Sequence, residues 1–282
     1  MPDREARGIS PVPFEARVHA RRAIVKYVTE MDTVMKPTTE AAILCGGRGE
    51  RLKPLTDYFQ KVMIPIGPKK LPLLAYIISL MRQHGVTRIV LLTGYRSEDI
   101  RRYFGNGAQQ KVRLTYSEDG KGPTGSLNAV ANALRSGAIP SCDELLIYYG
   151  DVLTDLDITS LLAAHRDSKA DVTLVLDMGY SLPVGVAEVT DGRVTAFREK
   201  PRLDLNVTTG MMVVGPKGTS LIKRIAGSRR TDLMSDFVPE LLKKGGKVAA
   251  FFTTGAWFDV GTVSSFEKLN EELGRNPLGY PI

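Results

Sequence analysis

Residues 43–66 read ILCGGRGERLKPLTDYFQKVMIPI, an apolar run followed by a segment rich in glycine, arginine and lysine. The apolar run predicts a β-strand, and the glycines after it predict a loop. In an α/β fold such a loop lies at the carboxyl edge of a parallel sheet, where ligands bind. Glycines allow backbone N–H groups to approach an anion, and successive amides form a nest for it. We therefore expect this stretch to hold phosphate groups, and a triphosphate is the ligand that its bare backbone and positive charge favour.

Short apolar strands and amphipathic helices alternate after this stretch. The periodicity predicts strands at 41–45, 88–92, 112–116, 144–149 and 171–176, and helices at 73–84, 97–104, 126–135 and 158–168. Such alternation implies βαβ units with right-handed crossovers. The predicted fold class is α/β, with a doubly wound, Rossmann-like, mixed but mostly parallel sheet.

The pattern changes after residue 176, where strands follow one another at 186–189, 194–198 and 207–214. Asp191-Gly192 lies between the first two and is typical of a hairpin turn. This predicts a small β-hairpin insert. Helices at 221–225, 234–242 and 264–273 and a strand at 248–252 complete the prediction.

The N-terminal region differs from the rest. A stretch with proline and glycine precedes apolar residues at helical spacing, namely Phe14, Val18, Ile24, Val25 and Val28. We predict two parts, a helical extension at 1–38 and a main domain at 39–282.

Composition limits the classes of function. The 282 residues include 43% hydrophobic and 24% charged residues and carry a net charge of +7, a balance typical of globular proteins. A basic surface suits anionic substrates or nucleic acid. Since no basic run is interleaved with aromatic residues, we expect a small phosphorylated ligand and no nucleic acid.

Two cysteines, Cys45 and Cys142, have no metal-ligand spacing. They indicate free thiols in a reducing compartment, so we predict a cytoplasmic protein. No apolar stretch approaches the ~20 residues that span a bilayer, and the first residues lack a signal-peptide core. No membrane association is expected.

The glycine-rich loop matches neither of two familiar phosphate loops. It lacks the third glycine of the dinucleotide fingerprint, and the chain has no G-x-x-x-x-G-K-[ST]. The glycines alone fit a plain turn with surface arginines equally well. The residues that favour the phosphate site are Arg51, Pro54, Leu55, Thr56 and Lys61.

Over these residues the chain resembles the sugar-1-phosphate nucleotidyltransferases, also called nucleotide-sugar pyrophosphorylases. Their signature is a strand, then G-G-x-G-x-R-L-x-P-L-T, a spacer, and a lysine before an apolar segment that ends in proline. Residues 46–56 read GGRGERLKPLT, and Lys61 and Pro65 follow. Gln60 departs from the pattern, because the family usually has proline before the lysine.

The resemblance implies a role for each matched residue of the loop. The backbone amides of Gly46, Gly47 and Gly49 would cradle the nucleotide phosphates. Arg51 and Lys61 would neutralise the phosphates that leave as pyrophosphate.

Two aspartates match the family's metal site. Asp151 follows the predicted strand 144–149 in a Gly-Asp turn, and Asp259 precedes Val-Gly-Thr. Without the resemblance, the first is a common turn and the second lies before the cap of a helix. The resemblance implies that both carboxylates hold Mg²⁺, the expected cofactor.

The sugar and the base would be bound by other matched segments. For the sugar phosphate the resemblance points to Gly185, Glu199, Lys200, Thr209 and Gly210, with Lys200 also orienting the attacking phosphate. For the base and nucleotide it points to Glu118, Gly122 and Thr124, although this segment is shorter than usual in the family.

The implied reaction joins a nucleoside triphosphate and a sugar 1-phosphate into a nucleotide sugar and pyrophosphate. The chain looks closest to guanylyltransferases that act on mannose 1-phosphate or heptose 1-phosphate, so GTP is the expected donor. Thymidylyl or uridylyl transfer to glucose 1-phosphate is an alternative, as is a non-catalytic regulatory relative. Homo-oligomerisation is left open.

Overall fold

The structure is a computed structural model, and it describes residues 37–120, 125–182, 184–227, 229 and 231–275. The helix predicted within 1–38 lies outside these residues, so the predicted division of the chain stays a prediction. None of the helices in the described ranges is long and apolar enough to cross a bilayer.

The described strands are short in the first half of the chain and longer around residue 200. They are β1 (Thr39–Cys45), β2 (Pro65–Ile66), β3 (Leu71–Pro72), β4 (Arg88–Thr93), β5 (Arg113–Glu118), β6 (Glu144–Tyr149), β7 (Val152–Thr154), β8 (Val172–Ser181), β9 (Val186–Thr190), β10 (Arg193–Arg198), β11 (Arg202–Val214), β12 (Val248–Phe252) and β13 (Trp257–Asp259).

The described helices alternate with these strands. They are α1 (Leu55–Tyr58), α2 (Leu73–Gln83), α3 (Ser97–Phe104), α4 (Ser126–Arg135), α5 (Ile158–Ser168), α6 (Pro216–Ile225), α7 (Val238–Lys243) and α8 (Val263–Arg275). A π-helical turn, Leu233–Phe237, runs directly into α7. The predicted α/β alternation is confirmed.

Seven of the strands form a central sheet in the order β12-β8-β11-β6-β1-β4-β5. The β1/β4, β1/β6, β4/β5 and β8/β12 pairs are parallel. Strand β11 runs antiparallel to both of its neighbours, β6 and β8. The predicted mixed, mostly parallel sheet is therefore confirmed.

Helices cover both faces of this sheet because successive side chains of a strand point to opposite faces. In β1, Ala41, Ile43 and Cys45 pack into one apolar cluster, which also contains residues of α2, α3, α5 and α8. Ala42 packs into a second cluster with residues of α4, α6 and α7. The sheet is thus doubly wound, with a continuous apolar pattern in its buried strands.

Strands β8 and β11 extend beyond the sheet and carry the predicted hairpin. Strand β9 pairs with β10 in antiparallel fashion through Asp191 and Gly192, both of which have positive φ. The sequence predicted shorter strands at 171–176 and 207–214. Their outer parts are exposed, and exposed strands lack the apolar run that makes a buried strand recognisable.

Several short elements of the structure were not predicted from the sequence. The most important is the antiparallel pair β7/β13, in which Asp259 lies opposite Val152. Each strand has three residues, which is too few for a periodicity to be recognised. This pair joins segments about a hundred residues apart and brings the two predicted metal ligands to one edge of the sheet.

The opposite edge of the sheet is fixed by an ion pair between a buried carboxylate and a partly exposed arginine. Glu144, at the start of β6, is buried and accepts hydrogen bonds from Arg166 Nε at 2.6 Å and Nη2 at 2.8 Å. Thr39 Oγ1, at the start of β1, donates to the same carboxylate at 2.9 Å. These bonds tie α5 to the amino ends of two central strands.

We expect Arg166→Met to lower the free energy of unfolding by about 2–3 kcal/mol, because it leaves the buried Glu144 carboxylate without its bidentate partner. Urea unfolding, followed by the fluorescence of the chain's single tryptophan, measures this change. The double variant Glu144→Leu/Arg166→Met is the control, and it should be more stable than Arg166→Met alone. A double variant less stable than the single one would contradict the explanation.

Candidate active site

A cleft of about 940 Å³ opens at the carboxyl ends of β1, β4, β5 and β6. Its lining includes most of the glycine-rich loop together with side chains that lie far apart in sequence, such as Arg51, Lys61, Glu118 and Asp151. This is the edge at which open α/β sheets bind ligands. The cleft is large enough for a nucleotide.

The glycine-rich loop is held by contacts behind it. Gly49 has a φ of +66°, and a Cβ built on it would lie 2.8 Å from Thr56 Cγ2. The Gly49 carbonyl accepts hydrogen bonds from Thr56 Oγ1 at 3.0 Å and from the Leu52 backbone at 2.8 Å. A glycine is required here because both the backbone angle and the space exclude a side chain. The loop therefore keeps a fixed path beside the cleft.

Gln60, the departure from the family pattern, has a structural role. Its side chain is buried, donates through Nε2 to the Cys45 carbonyl at 2.5 Å and accepts from the Val62 backbone at 2.7 Å. These bonds connect the end of β1 to the turn that carries Lys61. The substitution for proline therefore leaves the position of Lys61 well defined.

Lys61 forms an ion pair with Asp151, with a distance of 2.5 Å between Nζ and Oδ2. The side chains are 11% and 27% exposed, respectively. Gly150 brings Asp151 to this place, because its backbone N–H donates to the Leu44 carbonyl at 3.0 Å. A Cβ on Gly150 would lie 2.5 Å from that oxygen, so a larger residue would push the two strands apart.

Asp259 lies beside this pair. The Val260 backbone N–H donates to the Asp151 carbonyl at 2.8 Å. Burial raises the pKa of Asp259, and the negative charge of Asp151 raises this pKa further, while Lys61 and Arg51 oppose the shift. A Cβ built on Gly261 would lie 3.1 Å from Asp259 Oδ1 and 3.4 Å from Arg51 Nη2, so Arg51 shares this small region with the aspartates.

The two aspartates are suitable ligands for a divalent cation. Carboxylate oxygens are the ligands that Mg²⁺ prefers, and Mg²⁺ usually takes one or two carboxylates and completes its shell with water and substrate phosphates. Within the described ranges, no group of three or more His, Cys, Asp or Glu side chains could hold a metal ion. Asp151 and Asp259 would supply two carboxylates and leave the other positions of the shell to water and phosphate oxygens.

The predicted base-binding residues are only partly described. Gly122 and Thr124 lie outside the described residues. Glu118 lines the cleft, but its carboxylate accepts hydrogen bonds from Arg101 Nε at 3.2 Å and Nη2 at 2.9 Å. Asp119, the next residue, also lines the cleft and was not predicted.

The predicted sugar-binding residues fall into two groups. Gly185, Glu199 and Lys200 lie beside the β9/β10 hairpin and are exposed, and none of them is among the described residues that line the cleft. A Cβ on Gly185 would lie 2.9 Å from Glu199 Oε2, so these two residues are neighbours. Lys200 Nζ lies 3.8 Å from Glu199 Oε1.

Gly210 lies against a residue of the cleft wall, although neither Thr209 nor Gly210 is among the described residues that line the cleft. A Cβ on Gly210 would lie 3.2 Å from the Cβ of Tyr149, which lines the cleft. The Thr209 carbonyl accepts from Trp257 Nε1 at 3.0 Å, and its hydroxyl donates to the Val175 carbonyl at 3.0 Å. Thr209 thus connects β11 to β13 through its carbonyl and to β8 through its hydroxyl.

A hydrogen-bonded chain in the cleft wall was not predicted. Tyr149 Oη donates to Ser126 Oγ at 3.3 Å, and Ser126 Oγ donates to Asp232 Oδ2 at 2.6 Å. Burial raises the pKa of Tyr149 to about 12. The only signal in the sequence is that Tyr149 precedes Gly150-Asp151. The contacts with Ser126 and Asp232 depend on folding and have no local pattern.

The chain is similar to a known family and to individual proteins of that family. The family model described as Nucleotidyl transferase matches residues 40–276. A mannose-1-phosphate guanylyltransferase of Mycobacterium tuberculosis is 32% identical over 244 residues, which cover 84% of this chain and 65% of that protein. A D-glycero-alpha-D-manno-heptose 1-phosphate guanylyltransferase of Aneurinibacillus thermoaerophilus is 30% identical over 237 residues, which cover 83% of this chain and 98% of the relative.

A third relative has a different nucleotide in its name. It is a UTP–glucose-1-phosphate uridylyltransferase of Synechocystis, 30% identical over 244 residues that cover 80% of this chain. The alignments span 61% of this relative and 65% of the mycobacterial one, so the chain matches less than two thirds of each.

A solved structure shares the fold. HddC from Yersinia pseudotuberculosis, complexed with GMP-PN, superposes with a TM-score of 0.64 at 20% identity, covering 83% of this chain and 99% of that one. The family match includes the loop, Lys61, Asp151 and Asp259. The chain therefore belongs to the nucleotidyl transferase family.

Proposed function

We propose that this protein transfers a nucleotidyl group from a nucleoside triphosphate to a sugar 1-phosphate and releases pyrophosphate. GTP is the proposed donor, and a mannose-type or heptose-type sugar phosphate is the proposed acceptor. The observation that carries the proposal is the meeting of Arg51, Lys61, Asp151 and Asp259 beside a glycine-rich loop.

The glycine-rich loop would bind the triphosphate. The backbone N–H groups of Gly46, Gly47 and Gly49 are the proposed ligands of its oxygens. A Cβ on Gly47 would have no heavy atom within 4 Å, so this backbone is open to a ligand. Arg51 and Lys61 would stabilise the charge that develops on the departing pyrophosphate.

Asp151 and Asp259 would hold Mg²⁺. A magnesium ion bound there would neutralise phosphate oxygens and orient the reacting groups. The Lys61 ammonium lies 2.5 Å from Asp151. A positive charge at this place would help to balance the carboxylates and the phosphates of the ligand. No covalent intermediate with the protein is needed, because positioning and charge stabilisation suffice for phosphoryl-type transfer.

The sugar phosphate would enter from the side of β11 and the hairpin. Lys200 would orient the phosphate oxygen that attacks the α-phosphorus in line, and Glu199 and Gly185 would contact the sugar. Gly210 would approach the sugar beside Tyr149. Because Gly185, Glu199 and Lys200 do not line the cleft, the hairpin would contact the sugar phosphate from outside it.

Two guanylyltransferases among the relatives and the GMP-PN bound to HddC support GTP. The uridylyltransferase relative keeps uridylyl transfer to glucose 1-phosphate as the second candidate. A non-catalytic relative is disfavoured because the charged residues proposed for catalysis are all present: Arg51, Lys61, Asp151, Lys200 and Asp259. The free cysteines Cys45 and Cys142 support a reducing, cytoplasmic location.

Pyrophosphate release tests this function directly. We expect the purified chain with Mg²⁺ to release pyrophosphate only when both a triphosphate and a sugar 1-phosphate are present. The assay should cover five triphosphates and mannose, heptose and glucose 1-phosphates. The highest kcat/KM is expected with GTP and a mannose-type or heptose-type acceptor. Absence of release with every pair would contradict the proposed reaction.

Asp151→Asn should lower kcat by about 10²- to 10³-fold, because a neutral amide is a poor magnesium ligand and removes charge stabilisation from the transition state. Steady-state kinetics at saturating Mg²⁺ measure the effect. Asp155→Asn, at an exposed aspartate near Asp151, is the matched control and should keep the activity. Unchanged turnover of Asp151→Asn would contradict the proposal that Asp151 binds the metal ion.

Lys200→Ala should raise the KM for the sugar 1-phosphate by about tenfold or more and leave the KM for the triphosphate within about twofold, because the proposed contact is to the acceptor phosphate alone. Kinetics with each substrate varied in turn separate the two constants. Lys217→Ala, at an exposed lysine of α6, is the control. A rise in the KM for the triphosphate alone would contradict the proposed contact between Lys200 and the acceptor phosphate.

A further inference from the structure

Lys61 lies between two buried residues in the wall of the cleft. Gln60 is 0% exposed and Val62 is 2% exposed, and all three residues belong to the lining. Lys61 begins a short 3-10 turn, Lys61–Met63, directly after Gln60. A lysine side chain is long and flexible, so contacts around it must fix its charged end. The residues that hold this turn therefore decide where the Lys61 ammonium lies.

The Gln60 side chain uses a donor and an acceptor at the same time. Nε2 donates to the carbonyl of Cys45, the last residue of β1, at 2.5 Å. Oε1 accepts from the Val62 backbone N–H at 2.7 Å. A carboxamide is the side-chain group that offers both functions in one plane. Because Gly46 follows Cys45, the two bonds connect the origin of the glycine-rich loop to the turn that carries Lys61.

The neighbours of Lys61 extend this connection on both sides. A Cβ built on Gly49 would lie 3.2 Å from Lys61 Cβ and 3.4 Å from Lys61 Cδ, so the lysine stem packs against the glycine-rich loop. A Cβ on Gly150 would lie 2.9 Å from Val62 Cγ1, so Val62 packs against the turn that carries Asp151. A shift of the 3-10 turn would move the ammonium relative to the loop and to Asp151 together.

We propose that Gln60 is a positioning residue for the transfer reaction, because its carboxamide sets the distance between the glycine-rich loop and the Lys61 ammonium. The loop and the ammonium can then bind the same pyrophosphate group. This inference rests on the nucleotidyl transfer proposed above and deepens it. Gln60 acts through Lys61 and has no contact of its own with the reacting atoms.

The backbone at this place separates the role of the side chain from the path of the main chain. Gln60 has φ −65° and ψ 144°, and Phe59 before it has φ −120° and ψ 146°. These angles suit proline and the residue that precedes a proline. Gln60→Pro, which introduces the residue usual in the family, therefore keeps the path of the chain. It removes the side-chain partners of the Cys45 carbonyl and of the Val62 N–H.

Pyrophosphate binding and steady-state kinetics test the proposal. We expect Gln60→Pro and Gln60→Met to raise the calorimetric Kd for pyrophosphate with Mg²⁺ by about tenfold. The kcat should fall by about 10- to 100-fold, because a displaced charge stabilises the leaving group poorly. The KM for the sugar 1-phosphate should stay within about twofold. Gln83→Met, at an exposed glutamine that ends α2, is the matched control and should keep the wild-type constants.

A double-mutant cycle shows whether Gln60 acts through Lys61. In a Lys61→Met background, Gln60→Pro should change the Kd for pyrophosphate by less than about twofold, since the charge that Gln60 positions is already absent. A general loss of structure would weaken binding by the same factor in both backgrounds. Urea unfolding, followed by tryptophan fluorescence, checks that each variant is folded, and Gln60→Met gives a second cycle should Gln60→Pro be unfolded.

The outcomes separate this proposal from the proposed reaction. Wild-type affinity for pyrophosphate in folded Gln60→Pro and Gln60→Met, or equal losses with and without Lys61, would overturn the role of Gln60 and leave the reaction standing. A wild-type protein that does not bind pyrophosphate with Mg²⁺ would also overturn it. If no pair of substrates supports transfer, the proposed reaction fails, and the calorimetric cycle still decides whether Gln60 positions Lys61.

Discussion

The site depends on the contact between the Lys61 ammonium and the Asp151 carboxylate. The 2.5 Å distance joins a turn after β1 to the turn after β6. Both charges are mostly buried, and a buried charge is tolerated only when it is paired. Asp259 adds a second carboxylate to the same region, and partial desolvation together with the charge of Asp151 raises its pKa. The fold therefore concentrates charge at one edge of the sheet, where a triphosphate and a divalent cation would complete the balance.

The rest of the fold explains how this concentration is maintained. The buried central strands fix the ends of β1 and β6, and Gly150 lets the turn after β6 pass close to the Leu44 carbonyl. Gln60 ties the end of β1 to the turn that carries Lys61. The short β7/β13 pair holds Asp259 beside Asp151. Backbone hydrogen bonds, one buried side chain and a short strand pair thus fix the turns that carry Lys61, Asp151 and Asp259.

Much of this could be predicted from the sequence. Buried parallel strands are continuous apolar runs and the helices between them have clear periodicity, so the main elements from β1 to α5 were predicted to within a few residues. The motif residues Arg51, Lys61, Asp151 and Asp259 were recognised as a group by resemblance, and the structure brings them together. The pairing of β7 with β13 could not be predicted because three residues carry no pattern. The place of Tyr149 in the cleft wall was missed because its contacts with Ser126 and, through it, Asp232 join distant segments.

The most direct test of the account is a crystal structure of the protein with a non-hydrolysable GTP analogue and Mn²⁺, which gives a strong anomalous signal. The account predicts that the triphosphate lies against the backbone of residues 46–49, and that the metal ion contacts Asp151, Asp259 and phosphate oxygens. A nucleotide bound elsewhere, or a metal ion at this site that touches neither carboxylate, would contradict the central claim.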